Sequence, residues 1–153
     1  RKQFINLGSE VVVANKLLPV KSTQFEMEFS IEPSATSVCG IKIAKAADHF
    51  FEIGYDAAKK LLYVDRSKTG NTSFNENFKK INRFEKSIAL KNKKLQLHIY
   101  FDNSIVEIFV NDGEAVFTAQ IFPEENNSAI ELFSTGGKSQ FSGINFREMK
   151  SAW

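Results

Sequence analysis

Glu107 is the residue best placed for chemistry, a carboxylate set inside the apolar run Ile105-Val106-Glu107-Ile108-Phe109-Val110. A buried carboxylate costs several kcal/mol unless a partner satisfies it. In a functional role it would accept hydrogen bonds from ligand hydroxyls or face a neighbouring domain. The alternative is an outward-facing strand residue, or one tied to Arg66 or a nearby lysine. Asp65 and Asp102 share a second pattern, apolar-Asp-x-Ser at the end of a predicted strand. There the Asp and Ser side chains usually bond the turn backbone. Tyr55, Tyr100, Phe74, Phe78 and Trp153 supply rings for stacking. Phenylalanine dominates the aromatics, with 15 Phe against 3 Tyr and 1 Trp. Phe has no polar handle, so most of these rings read as core. The residues left as possible ligand or interdomain contacts are Glu107, Asp65, Arg66, Asp102, Tyr55, Tyr100 and Trp153, and none of them reads as catalytic.

Composition narrows the field. With 153 residues, 42% of them hydrophobic, the chain suits one domain that buries roughly 68–70% of its unfolded surface. Twenty Lys+Arg against 18 Asp+Glu give a net charge of +2, and the basic residues are scattered apart from Lys91-Asn92-Lys93-Lys94. Such a distribution does not suggest a nucleic-acid binder. Cys39 is the single cysteine, and with only His49 and His98 there is no zinc-ligand spacing. No metal site and no cofactor are expected, and Cys39 reads as a small buried hydrophobe. No stretch approaches the ~18 apolar residues of a membrane-spanning helix. The chain opens Arg1-Lys2-Gln3-Phe4, without Met or a signal peptide, and reads as a piece of a longer protein.

The elements that position these residues are strands. Phe25, Met27, Phe29 and Ile31 alternate with Gln24, Glu26, Glu28 and Ser30; Leu95, Leu97, Ile99 and Phe101 alternate with Gln96, His98 and Tyr100. Further strands are expected at 11–14, 38–44, 50–55, 61–65, 105–110, 115–122, 129–133 and 142–149. Asp56-Ala57-Ala58-Lys59-Lys60-Leu61 is too short for a helix and reads as a hairpin connection. Residues 66–90 read as one long loop, pinned by Phe74, Phe78, Ile81 and Phe84. Asn111-Asp112-Gly113 and Asp102-Asn103 tolerate positive φ, which makes 95–122 a three-stranded meander. Gly136-Gly137 separates Phe133 from the last strand. The expected fold is all-β, one two-sheet antiparallel β-sandwich over residues 1–153, concanavalin-like or jelly-roll-like.

Residues 95–123, Leu-Gln-Leu-His-Ile-Tyr-Phe-Asp-Asn-Ser-Ile-Val-Glu-Ile-Phe-Val-Asn-Asp-Gly-Glu-Ala-Val-Phe-Thr-Ala-Gln-Ile-Phe-Pro, resemble the signature of the C-terminal β-sandwich module of glycoside hydrolase family 32, the invertases, levanases and inulinases. Tyr63-Val64-Asp65-Arg66-Ser67-Lys68-Thr69-Gly70 is similar to an earlier segment of that module. Met149-Lys150-Ser151-Ala152-Trp153 is similar to its closing segment. Asn103 departs from the pattern, standing where the family commonly has Arg. The resemblance implies a parent enzyme whose retaining chemistry needs two carboxyl groups roughly 5 Å apart. In the family these lie in an N-terminal five-bladed propeller, within Asn-Asp-Pro, Arg-Asp-Pro and Glu-Cys motifs. None of the three is present: Pro19, Pro33 and Pro123 follow Leu18, Glu32 and Phe122, and Cys39 follows Val38. The implied role is non-catalytic: to pack on and stabilise the propeller of the same polypeptide, its expected partner, and help shape substrate access or oligomerisation. The alternative is a fructan-binding module that targets the parent to polymer, and a third possibility is an unrelated sandwich lectin. The resemblance further suggests a secreted or periplasmic protein.

Overall fold

A computed structural model describes residues 4–69, 82–124 and 126–149. It contains two six-stranded antiparallel sheets and, among the described residues, no helix. The strands are β1 (Ile5–Val12), β2 (Asn15–Lys21), β3 (Gln24–Pro33), β4 (Val38–Ala46), β5 (His49–Asp56), β6 (Leu61–Asp65), β7 (Arg83–Ser87), β8 (Leu95–Asp102), β9 (Ile105–Val110), β10 (Ala115–Gln120), β11 (Ala129–Thr135) and β12 (Ser139–Glu148). The first sheet runs β1-β12-β3-β8-β9-β10 and the second β2-β11-β4-β5-β6-β7. The all-β two-sheet sandwich read from the alternation is the fold observed.

Period-two patterning builds the core. Phe25, Met27, Phe29 and Ile31 of β3 and Leu95, Leu97, Ile99 and Phe101 of β8 are buried, and so are Cys39, Ile41, Ile43, Phe51, Ile53 and Leu62 of the second sheet. Each large side chain removed from water contributes about 1.5–3 kcal/mol. Phe25 packs edge-on to Phe101 at 5.7 Å, and Phe29 lies 5.8 Å from Phe141. Burial pushes the Cys39 thiol pKa up, consistent with a small core residue.

The meander β8-β9-β10 forms as expected. Val110 pairs with Ala115, and Asn111, Asp112 and Gly113 turn between them at φ 49°, 59° and 95°. Asn103 turns between β8 and β9 at φ 55°. The connection at 57–60 is a turn between β5 and β6, with Lys60 at φ 53°.

Three expectations need correction. The segment 11–14 is not a strand of its own: Val11 and Val12 end β1, and Val13-Ala14 turn into β2. Strand β2 carries Pro19, which is tolerated because β2 lies at a sheet edge. The long loop assigned to 66–90 contains β7, an edge strand whose five residues are all exposed and so show no apolar alternation. Phe84, expected to pin the loop, lies on β7 and is 42% exposed. Phe74, Phe78 and Ile81 fall outside the described residues.

Candidate functional site

The alternation that buries one face of the first sheet sends Glu26, Glu28, Gln96, His98, Tyr100, Glu107 and Phe109 toward the other. Register then aligns them in two rows. Arg147 pairs with Glu26, Glu26 with Tyr100 and Tyr100 with Glu107; in the next row Glu28 pairs with His98 and His98 with Phe109.

Glu26 is the hub. Although on the outer face, its side chain is only 7% exposed, covered by its partners. His98 Nε2 lies 2.6 Å from Glu26 Oε2, and Arg147 donates to Oε1. Burial by itself would raise the carboxyl pKa, but hydrogen bonds from His98 and Tyr100 and the Arg147 charge outweigh it and hold it below the usual value. An ionised carboxylate only accepts, so His98 carries its proton on Nε2. Burial, with the Glu26 hydrogen bond and charge, pushes the Tyr100 phenol up. His98 and Tyr100 stack at 4.7 Å and 18°, and Phe109 meets Tyr100 edge-on at 5.8 Å. Arg147 also lies over the Phe4 ring at 5.1 Å.

Beside these rings runs a groove. A cavity of about 300 Å³ is lined by Glu28, His98, Tyr100 and Phe109, and it shares Gln96, Asp112 and Gly113 with a larger cavity of about 1000 Å³ reaching Lys91 and Lys94. Asn111 fixes the wall: its Oδ1 accepts from the Gln96 backbone N–H at 3.0 Å, and its Nδ2 donates to Glu114 at 3.2 Å. Lys91 pairs with Glu114 at 3.4 Å. The Asn111 hydrogen bond, with Lys91, lowers the Glu114 pKa.

The outer face of the second sheet carries a packed cluster around Tyr63. Tyr63 lies over Gly54, where a Cβ would fall 2.3 Å from the ring, and its hydroxyl donates to Glu52. Arg83 covers the Tyr63 ring at 3.9 Å and pairs with Asp65 at 3.3 Å. Burial, reinforced by Glu52, drives the Tyr63 phenol far upward.

The structure divides the residues singled out from sequence. Tyr100 and Glu107 face each other on β8 and β9, with Glu107 exposed. Asp102 ends β8 and accepts from Gln24 Nε2 at 2.9 Å. Asp65 belongs to the second sheet, where the Ser67 backbone and hydroxyl donate to it at 2.9 and 2.7 Å. Burial would raise its pKa, but Ser67 and Arg83 lower it on balance. Arg66 joins the sheets, donating to the Gln120 carbonyl at 2.8 Å. Tyr55 is not a surface contact: it is fully buried and donates to the Ile88 carbonyl at 2.7 Å. Trp153 lies outside the described residues. Glu26, His98 and Arg147 were missed as a unit. Alternation marks Glu26 and His98 as outward residues, but only register brings the three together.

A second surface feature lies at the opposite edge of the sandwich. Phe4, Ile5, Val11, Val13 and Leu17 are exposed along β1, β2 and the turn between them, with Val13 70% exposed. Among the described residues no group of three or more His, Cys, Asp or Glu could hold a metal ion. Among the described residues no helix is long and apolar enough to cross a membrane.

Comparison with known proteins agrees with this architecture. The family described as "Glycosyl hydrolases family 32 C terminal" matches residues 1–148. The chain is 31% identical over 156 residues to a levanase of Bacillus subtilis (strain 168), covering 99% of this chain and 23% of that protein. It is 30% identical over 132 residues to the extracellular exo-inulinase inuE of Aspergillus niger, covering 84% of this chain and 24% of the relative. The chain thus spans about a quarter of the length of the relatives it matches. Among solved structures, the exo-inulinase from Aspergillus awamori superposes with a TM-score of 0.79 at 25% identity, over 97% of this chain and 30% of the other. The fructosyltransferase from A. japonicus shares the fold at a TM-score of 0.81 and 20% identity, over 99% of this chain and 27% of the other.

Proposed function

The chain belongs to the C-terminal domains of family 32 glycosyl hydrolases, and we propose that it serves as the non-catalytic accessory domain of a fructan-cleaving enzyme, packing on the catalytic propeller of its own polypeptide and stabilising it. The observation that carries this reading is the set of exposed apolar side chains about the β1–β2 turn, Val11, Val13 and Leu17. These residues lie on the first strand of each sheet and the turn joining them, so they share one edge of the sandwich. A clustered apolar surface favours a protein contact. The relatives supply an occupant, because about three quarters of their length lies outside the part this chain matches. Covalent linkage would hold even a modest contact closed, since effective concentrations across short linkers reach the millimolar range.

Absence of the Asn-Asp-Pro, Arg-Asp-Pro and Glu-Cys motifs supports a role without hydrolysis. Export from the cell is supported by the relatives named as extracellular exo-inulinases. The test is sedimentation of this chain with the separately expressed catalytic domain of its polypeptide. A complex weakened by Val13→Asp with Leu17→Asp is expected, along with no release of reducing sugar from levan, inulin or sucrose by this chain alone. Failure to associate overturns the docking role, and hydrolysis by the isolated chain overturns the non-catalytic one.

A second reading, that the domain itself binds fructan, is favoured by the ring-lined groove on the first sheet. Affinity electrophoresis through gels containing levan or inulin tests it. Retardation relative to a polymer-free gel supports it, and unchanged mobility in both rejects it.

A further inference from the structure

We propose that the groove on the outer face of the first sheet is a binding site for a short stretch of neutral oligosaccharide, with the rings of His98, Tyr100 and Phe109 at one end and Lys94 at the other. The inference rests on the fructan-binding reading for its choice of sugar, but the site is argued from its own chemistry. The two cavities share Gln96, Asp112 and Gly113 and lie over neighbouring rows of the sheet, Ser30 with Gln96 and Glu28 with His98, so they adjoin along one face. Its floor follows β8. From Gln96 to Tyr100 the strand advances about 13 Å, and the larger cavity extends the groove further, giving room for roughly two or three sugar rings.

Three properties select the ligand. The first is aromatic surface: His98, Tyr100 and Phe109 all line the smaller cavity, and a stacked pair still leaves one face of each ring outside the stack. Such rings suit the C–H faces of a sugar. The second is mixed polarity. Gln96 offers both donor and acceptor, Glu28 and Asp112 accept, and Lys94 donates, a set that matches vicinal hydroxyls. The third is charge balance. Lys91 is paired with Glu114, and Glu28 and Asp112 offset Lys94, so no single sign dominates and a polyanion is not favoured.

The site is also held in shape before any ligand arrives. Glu26 fixes the His98 ring through Nε2, and Tyr100 is locked between His98 and Phe109. Asn111 ties the β9–β10 turn to the Gln96 backbone, so wall and floor move together. Preorganisation of this kind lowers the ordering cost of binding. The groove reaches β3 through Glu28 and Ser30 and is separated from β1 by β12, so docking about the β1–β2 turn would leave it open.

Titration of this chain with inulin-type and levan-type fructotetraoses, followed by heteronuclear NMR, tests the site. The expected result is saturable shifts centred on residues 96–100 and 109–113. Affinity should fall at least about tenfold in His98→Ala and be lost in Gln96→Trp, which fills the shared floor. Gln96 is exposed, so the tryptophan variant keeps its fold, and its dispersed spectrum verifies this. Tetraose binding that survives Gln96→Trp unchanged overturns this site while leaving the fructan reading intact. No binding of either tetraose by the unaltered chain overturns both.

Discussion

Replacing Glu26 by alanine removes the acceptor on which Arg147, His98 and Tyr100 converge. Its magnitude follows from burial. Breaking a fully buried ion pair by deleting one partner costs about 3–5 kcal/mol, whereas exposed pairs contribute about 0–1 kcal/mol. The Glu26 side chain is 7% exposed, but Arg147 and His98 retain 28% and 33%, so water screens part of the loss. A cost of about 2–3 kcal/mol results, which for a chain of this length lowers Tm by roughly 5–10 °C. Glu26→Gln keeps the shape and one acceptor, and should lose about half as much. The pH dependence has a definite sign. The folded carboxyl pKa is depressed, so its stabilisation is present above the unfolded value and is lost as pH falls through the folded one. Calorimetry of the unaltered chain and Glu26→Ala from about pH 7 to about pH 3 should show the Tm gap narrowing with acid. A gap below ~2 °C at neutral pH, or one constant across that range, would refute the reasoning.

Tyr55→Phe should cost about 1–2 kcal/mol in chemical denaturation, because the buried Ile88 carbonyl loses its 2.7 Å donor. Gly40→Ala places a Cβ 1.9 Å from the Ile53 carbonyl oxygen and should destabilise by about 3 kcal/mol or more, read as a shifted urea midpoint, since backbone must move to admit it. Asn111→Ala loses the bond to the Gln96 N–H and sets alanine at φ 49°, for about 2 kcal/mol in chemical denaturation. Val13→Asp with Leu17→Asp should leave stability within ~0.5 kcal/mol while reducing fluorescence of an apolar-surface dye, because both side chains are exposed.

Local patterning made much of the fold legible. The alternation of 25–31 and 95–101, with positive-φ residues at 103 and 111–113, defines β3 and the β8-β9-β10 meander without tertiary knowledge. Strands β2 and β7 escaped because both lie at sheet edges, where the alternation that a buried face imposes is weak or missing. Tyr55 could have been placed from sequence: Phe51, Ile53 and Tyr55 share one face of β5, and Phe50, Glu52 and Gly54 the other. For the site, Glu107 reads as outward beside Val106 and Ile108, and Asp65 carries its Ser67 partner two residues on. The Glu26 hub was not legible. Arg147 lies 121 residues from Glu26 and His98 72, and only the pairing of β12 with β3 and of β3 with β8 makes them neighbours. The groove likewise needs that register, together with the turns at 91–94 and 111–114.

The most direct test of the central claim is the melting temperature of the catalytic domain proposed to share this polypeptide, measured by calorimetry alone and with a saturating excess of this chain. Docking predicts a Tm that rises with chain concentration and a smaller rise with the Val13→Asp, Leu17→Asp variant. A catalytic-domain Tm that does not move at saturating concentrations of the unaltered chain would contradict the account.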